Sequence, residues 1–515
     1  MSKLRVFLTC LLGSIAIAVG VSAEVTLHPL FSDHMVLQQG ERIPVWGKAA
    51  PGENVTVTID RRKDDACADE NGNWMVKLRS LRAGGPYEMT VAGKNNTLTV
   101  KDVLVGEVWV GSGQSNMAMN VQSSNNAEQE IANANYPNIR LFQVPTKTAD
   151  TPQETVEAQW QLTTPETIPG FSAAAYFFGR ELHQQLNVPV GLIHTSWGGT
   201  PSEAWTSLCT LKATPEAKPI LDRWDDIIAK YPQALEEFNK QMEEWNKAAE
   251  QAKKDGKEAP AKPRAPLGPD HPHRPASLYN AMIAPLIPYA IRGAIWYQGE
   301  SNAGRAYQYR AIFPAMIEDW REHWNQGNFP FLFVQLANFT ERKPDPGDSD
   351  WAELREAQSM TLKLKNTGMA VIIDIGDAAD IHPKNKQDVG KRLAYWALDK
   401  TYKKDVVPSG PLYDSARFRS GKATIRFDYA DGGLVSQGGE LKGFAIAGPD
   451  QKFVWAKAEV AGKKKVTVWS EQVPNPVAVR YGWANNPECT LYNKAGLPAS
   501  PFRTDEWPGI TINNK

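Results

Sequence analysis

From about Asp102 to about Gly410, short apolar runs alternate with stretches of helical periodicity, and this alternation restricts the fold more than any other feature of the chain. An unbroken apolar run is too short to be a helix core, yet it is buried on both faces, which is the condition of a parallel strand covered by its connecting helices. The runs at residues 107–110, 190–195, 291–297, 331–336 and 370–375 are read as such strands. Helices are expected at 172–186, 306–324, 353–364 and 385–402.

Five parallel strands are enough for a flavodoxin-like, three-layer α/β domain spanning 102–410. Within it, residues 212–275 turn charged and alanine-rich, with a helix expected over 234–254 and a proline-rich return over 260–275. This stretch reads as an insertion, either a solvated spacer or a lid. Residues 24–101 carry short β runs at 25–30, 35–38, 43–48, 54–59, 74–78 and 87–91, punctuated by Pro51-Gly52, Asn71-Gly72 and Gly84-Gly85-Pro86. They predict a small antiparallel β-domain. Alternating segments at 423–427, 443–447 and 465–469 predict a second one over 411–515. Three units suit a chain of 515 residues.

Residues 1–23 have the form of an export signal: Lys3 and Arg5, an apolar run over 7–21, and the small-residue site Val21-Ser22-Ala23. The expectation is an exported protein, periplasmic or secreted, with no membrane span once the segment is removed. Removing it also takes the net charge from −1 to −3, which leaves no electrostatic footprint for nucleic acid. Cys67, Cys209 and Cys489 are widely spaced and lack metal-ligand patterning, so no metal is expected, and one disulfide is permitted without being assignable. Seventeen tryptophans are numerous, and core packing accounts for most of them. Oligomeric state is left open.

In open parallel sheets ligands bind beyond the carboxyl ends of the strands. Four expected strands end in chemistry-bearing loops: Gly111-Ser112-Gly113-Gln114-Ser115-Asn116-Met117, Ser196-Trp197-Gly198-Gly199-Thr200, Gln298-Gly299-Glu300-Ser301-Asn302, and Gly376-Asp377-Ala378-Ala379-Asp380-Ile381-His382-Pro383. A serine hydroxyl becomes a useful nucleophile when a base takes its proton, and the base needs a carboxylate to fix its tautomer. Ser115 sits on a glycine-rich strand-to-helix turn, although Met117 stands where a nucleophile elbow has its second glycine. His382 follows a strand by a short loop, with Asp380 as the first candidate to orient it and Asp377 as the alternative. His194, within a strand, reads as buried structure. Gly198 and Gly199 can offer main-chain N–H groups to a developing oxyanion, and Asn302 a side-chain amide.

Taken in order, these stretches resemble the sequence blocks of the SGNH-hydrolase superfamily. Gly113-Gln114-Ser115-Asn116-Met117, Trp296-Tyr297-Gln298-Gly299-Glu300-Ser301-Asn302 and Asp380-Ile381-His382-Pro383-Lys384-Asn385 are similar to those of sialate O-acetylesterases and their acetylesterase relatives. The resemblance implies Ser115 as nucleophile, His382 as base, and an oxyanion hole of Ser115, a glycine of the 198–199 turn and Asn302. It needs no cofactor. Two departures stand out: Ala379 occupies the position of the D-x-x-H aspartate, passing that role to Asp380, and Gln298 of the Q-G-E triplet competes with Asn302 as amide donor.

The expected reaction is hydrolysis of O-acetyl esters on carbohydrate. O-acetylated sialic acid is the substrate that the family implies, and acetylated xylan or xyloglucan is the alternative. An anionic sugar favours an arginine in the crevice, for which Arg305 is the candidate. A carbohydrate-binding protein without catalysis is the competing class; a broken triad would mark it, and Ser115, Asp380 and His382 are all present.

Overall fold

The computed structural model describes residues 24–515, so the expected export signal lies outside the described residues. Its centre is a parallel sheet in the spatial order Trp160–Thr163, Tyr136–Gln143, Val190–Ser196, Thr97–Gly113, Gly293–Tyr297, Phe331–Val334, Thr367–Ala370. All neighbours run parallel except the edge strand Trp160–Thr163, which is antiparallel to Tyr136–Gln143. The sheet therefore has one parallel strand more than the sequence reading gave. Tyr136–Gln143 escaped notice because Pro137 interrupts its start and only its second half is buried.

The last strand also differs. Residues 370–375 were expected to be extended in the sheet, but pairing stops at Ala370. Beyond it Arg392 takes the Val371 carbonyl at 2.8 Å and the Ile375 N–H turns back to Ile372 O, so the run leaves the ladder although Val371, Ile372 and Ile373 stay buried.

The helices form where periodicity placed them, and local caps explain their ends. Ser172 caps Ala173–Leu186 by accepting from Ala175 N, and Asn187 closes it in the left-handed region. Ala306–Trp324 stops at Asn325, also left-handed, and Asn385 caps Lys386–Trp396 by accepting from Asp388 N. Eleven of the seventeen tryptophans are buried, so packing does explain most of them.

The boundary expected near Asp102 falls inside a single strand, Thr97–Gly113, whose first half pairs with Gly84–Ala92 and Val36–Gln38 and whose second half enters the parallel sheet. Val36–Gln38 runs parallel to it, so the N-terminal strands are not purely antiparallel. Buried side chains on both sides of the boundary join one apolar core. The C-terminal strands, by contrast, enclose a core of their own around Ile425, Phe427, Phe444 and Tyr481. The charged insertion contains a helix from Lys218 to Lys254, longer than the expected 234–254, and only its first turns are anchored, through Ile220 and Trp224 against Ile312. Cys67, Cys209 and Cys489 are free thiols. No described helix is long and apolar enough to cross a membrane.

Candidate active site

Gly113 ends the central strand with φ +139°, and a Cβ there would overlap the Tyr297 carbonyl, so the turn into the Ser115–Ala118 helix requires glycine. That turn lifts Ser115 above the strand ends. Its Oγ lies 2.9 Å from His382 Nε2, across 267 positions of sequence. Asp380 Oδ1 accepts from the His382 main-chain N–H at 2.9 Å and lies 3.2 Å from ring Nδ1. The His382 main-chain N–H, then its ring, hold the Asp380 carboxyl below the usual carboxylate range. Asp377 faces elsewhere: its Oδ1 accepts from Ala379 N.

The other predicted residues divide. Gly198 abuts the nucleophile, since a Cβ built on it would stand 3.4 Å from Ser115 Cβ, and Gly199 turns away at φ +74°. Asn302 is buried in a polar network: its Oδ1 accepts from Ser202 N at 3.0 Å and Gln298 Nε2 at 2.6 Å, while its Nδ2 donates to Glu203 Oε2 at 2.9 Å. Gln298 gives one amide hydrogen to Asn302 and the other to Thr200 O at 3.2 Å. Both amide hydrogens of Gln298 thus have partners within the protein. Arg305 is not an unpaired cation either, because Glu203 Oε1 accepts from it at 2.6 Å. His194 is buried, held between Gln143 Oε1 at 2.7 Å and Ser196 Oγ at 2.6 Å.

Several residues at the site went unread in the sequence although they flank the motifs. Gln114 Oε1 accepts from Gly299 N and Ser301 N, tying the nucleophile turn to the 298–302 loop. Asn116 and Lys386 tie it to the histidine loop. Glu203 joins Asn302 to Arg305. Their signal was positional: Gln114 and Asn116 are the immediate neighbours of Ser115. Burial drives Lys386 down to about 7, opposed by Glu300 and Asp380, and it raises Glu300, opposed by Asn116 and Lys386. From the insertion, His273 reaches the rim, where burial lowers its imidazole against the pull of Glu203 and the Gly199 main chain.

A hydroxyl hydrogen-bonded to an imidazole, with a carboxylate on the far ring nitrogen, on loops at the carboxyl ends of parallel strands, is the constellation of a hydrolase that works through a serine. Comparisons with known proteins agree: the chain is a carboxylic ester hydrolase. More particularly, residues 105–249 and 268–399 match the family model described as carbohydrate esterase, sialic acid-specific acetylesterase, and the chain belongs to that family. Sialate O-acetylesterases from Pongo abelii and Homo sapiens are each 32% identical to it, over 94% of this chain and 93% of theirs. A crystal structure of a carbohydrate acetylesterase from Xanthomonas citri superposes with a TM-score of 0.79 at 39% identity, covering 94% of this chain and 100% of that one. The competing reading, a carbohydrate-binding protein without catalysis, gives way to this membership.

Proposed function

We propose that the chain removes O-acetyl groups from O-acetylated sialic acid by a serine-esterase mechanism on an SGNH-type, three-layer α/β scaffold. The observation that carries this reading is the 2.9 Å approach of Ser115 Oγ and His382 Nε2. Ser115 attacks the acetyl carbonyl while His382 accepts its proton; His382 returns that proton to the departing sugar oxygen, and a water activated by the same imidazole releases acetate from the acyl-serine. Asp380 holds the ring in the tautomer with Nε2 free. The oxyanion is received by main-chain N–H groups of Ser115 and Gly198, with Asn302 as the side-chain donor through the Nδ2 hydrogen not given to Glu203. Gly199 shapes the turn. Each donor aimed at the oxyanion is worth about 3 kcal/mol in the transition state.

The substrate assignment is supported by the names of the mammalian relatives. Acetylated xylan is the second reading, favoured by the Xanthomonas relative, which is titled a carbohydrate acetylesterase without mention of sialic acid. The reading also takes residues 1–23 as an export signal, 24–101 as a β-segment sharing the core of the catalytic unit 102–410, and 411–515 as a β-unit with its own core, with the protein acting outside the cytoplasm. Acetate release should be measured on O-acetylated sialic acid and on acetylated xylan, for the native protein and for Ser115→Ala. Faster release from the sialate, abolished in a folded Ser115→Ala, is expected. Undiminished release by that variant would reject the mechanism, and faster release from xylan would reject the substrate.

A further inference from the structure

Asp380 is a weak tether for His382. Its side chain is 45% exposed, and a single oxygen serves both the main-chain N–H and, at 3.2 Å, the ring. An exposed pair of this kind contributes little in water. The histidine loop also leaves the sheet early, at Ala370; beyond it an isolated bridge from Asp377 to Phe339 and the Gly376 N–H on Asn338 Oδ1 hold the chain only as far as Asp377, five residues short of His382. Something else must fix the imidazole against Ser115.

Beneath the pair, Lys386 and Asn116 are buried, at 0% and 1% exposure. Lys386 Nζ donates to Pro383 O at 2.6 Å and to Asn116 Oδ1 at 2.7 Å. Asn116 Nδ2 donates to Ile381 O at 3.0 Å and to Glu300 Oε1 at 2.6 Å. The two carbonyls held in this way are those immediately before and after His382. Asn116 itself follows the nucleophile, so the same four bonds reference the histidine loop to the nucleophile turn and to the 298–302 loop.

We propose that Asn116 and Lys386, with Glu300 anchoring Asn116, are positioning residues that clasp the main chain on both sides of His382 and thereby place its imidazole on Ser115. The inference rests on the Ser115–His382 reading of the site. Lys386 stands in the first turn of a helix, where the macrodipole disfavours a cation, and it has lost its water. A lysine kept in so unfavourable a place needs compensation, and its two hydrogen bonds, to Asn116 Oδ1 and Pro383 O, both belong to the clasp, with the Tyr297 ring beside the ammonium at 5.3 Å. Hydrogen bonds away from water are strong and directional, as fixing a main chain requires. The helix is itself rigidly seated: Gly390 lies so close to Phe178 N that a Cβ would stand 2.5 Å from it.

The test compares Lys386→Met and Asn116→Leu with Ser115→Ala and His382→Ala on an acetyl ester, with circular dichroism confirming the fold. Each clasp variant should lose about a hundredfold in kcat with KM within about twofold, because the substrate still binds while the base is misplaced. In the His382→Ala background, the same substitutions should change the residual rate by less than about twofold, since they act through the imidazole. Full activity in Ser115→Ala or His382→Ala would remove the reading on which the inference rests. Collapse of those two together with near-native kcat in both clasp variants, or with clasp losses that persist undiminished in the His382→Ala background, would overturn the clasp and leave the serine–histidine pair standing. If Lys386→Met fails to fold, Asn116→Leu alone decides, since it keeps the lysine.

Discussion

His194 provides the sharpest stability test. It is buried on the strand beside the nucleophile strand, where it pairs in register with Gly111 and where Ser196 pairs with Gly113. As a neutral ring it donates from Nδ1 to Gln143 Oε1 and accepts at Nε2 from the Ser196 hydroxyl. Burial lowers it from 6.5 to about 4. The folded protein thus keeps the ring neutral where the unfolded chain protonates it. The resulting stability is fully present above about pH 6.5, declines as pH falls, and is gone by about pH 4. At about 1.4 kcal/mol per unit the whole effect is about 3 kcal/mol, of which roughly 2.5 kcal/mol is lost by about pH 4.5. His194→Gln keeps a side chain able to donate to Gln143 and accept from Ser196 but does not titrate. Urea unfolding of both proteins at about pH 7.5 and about pH 4.5 isolates the contribution, because every other titrating group cancels in the difference. The native protein should lose about 2.5 kcal/mol more than the variant between the two conditions. Equal losses would mean that the ring takes its proton without unfolding, and the argument from burial would fail.

Three further outcomes are expected. Gly113→Ala forces a side chain into the Tyr297 carbonyl at φ +139° and should cost upwards of about 3 kcal/mol, read as a lower thermal midpoint together with lost turnover. Arg355→Met strips the donors from four carbonyls, those of Leu336, Ala337, Ala484 and Asn485, and so cuts the seam between the C-terminal β-unit and the sheet. It should destabilise by about 3–5 kcal/mol and expose 411–515 to limited proteolysis. Replacing residues 234–262 by a short Gly-Ser link removes only the outer part of the insertion and spares Ile220, Trp224 and His273, so turnover should stay within about twofold of native; a large drop would make the segment a lid.

Much of the scaffold was legible in the chain because its signals are local. Buried parallel strands read as apolar runs, helices show their period and caps, and the loops that carry Ser115, Gly198, Asn302 and His382 follow expected strands directly. The strand Tyr136–Gln143 was hidden by a proline and a half-exposed start, and the 370–375 run was overread because burial does not by itself mean pairing. Of the two candidate carboxylates, spacing could not choose; the turn of the chain after Ala379 puts Asp380 on the ring and Asp377 on its own loop.

The order of residues along the chain was enough to nominate a serine, a histidine and the loops that present them, since each lies within a few positions of the element that displays it. Only the tertiary structure assigned the donors: that both hydrogens of Gln298 are already given, what neutralises Arg305, and what holds the main chain around His382. These are matters of hydrogen-bond valence, filled by partners as far apart as Asn116 and Lys386. A buried group bonds to whatever the fold brings beside it, and sequence separation carries no information about that.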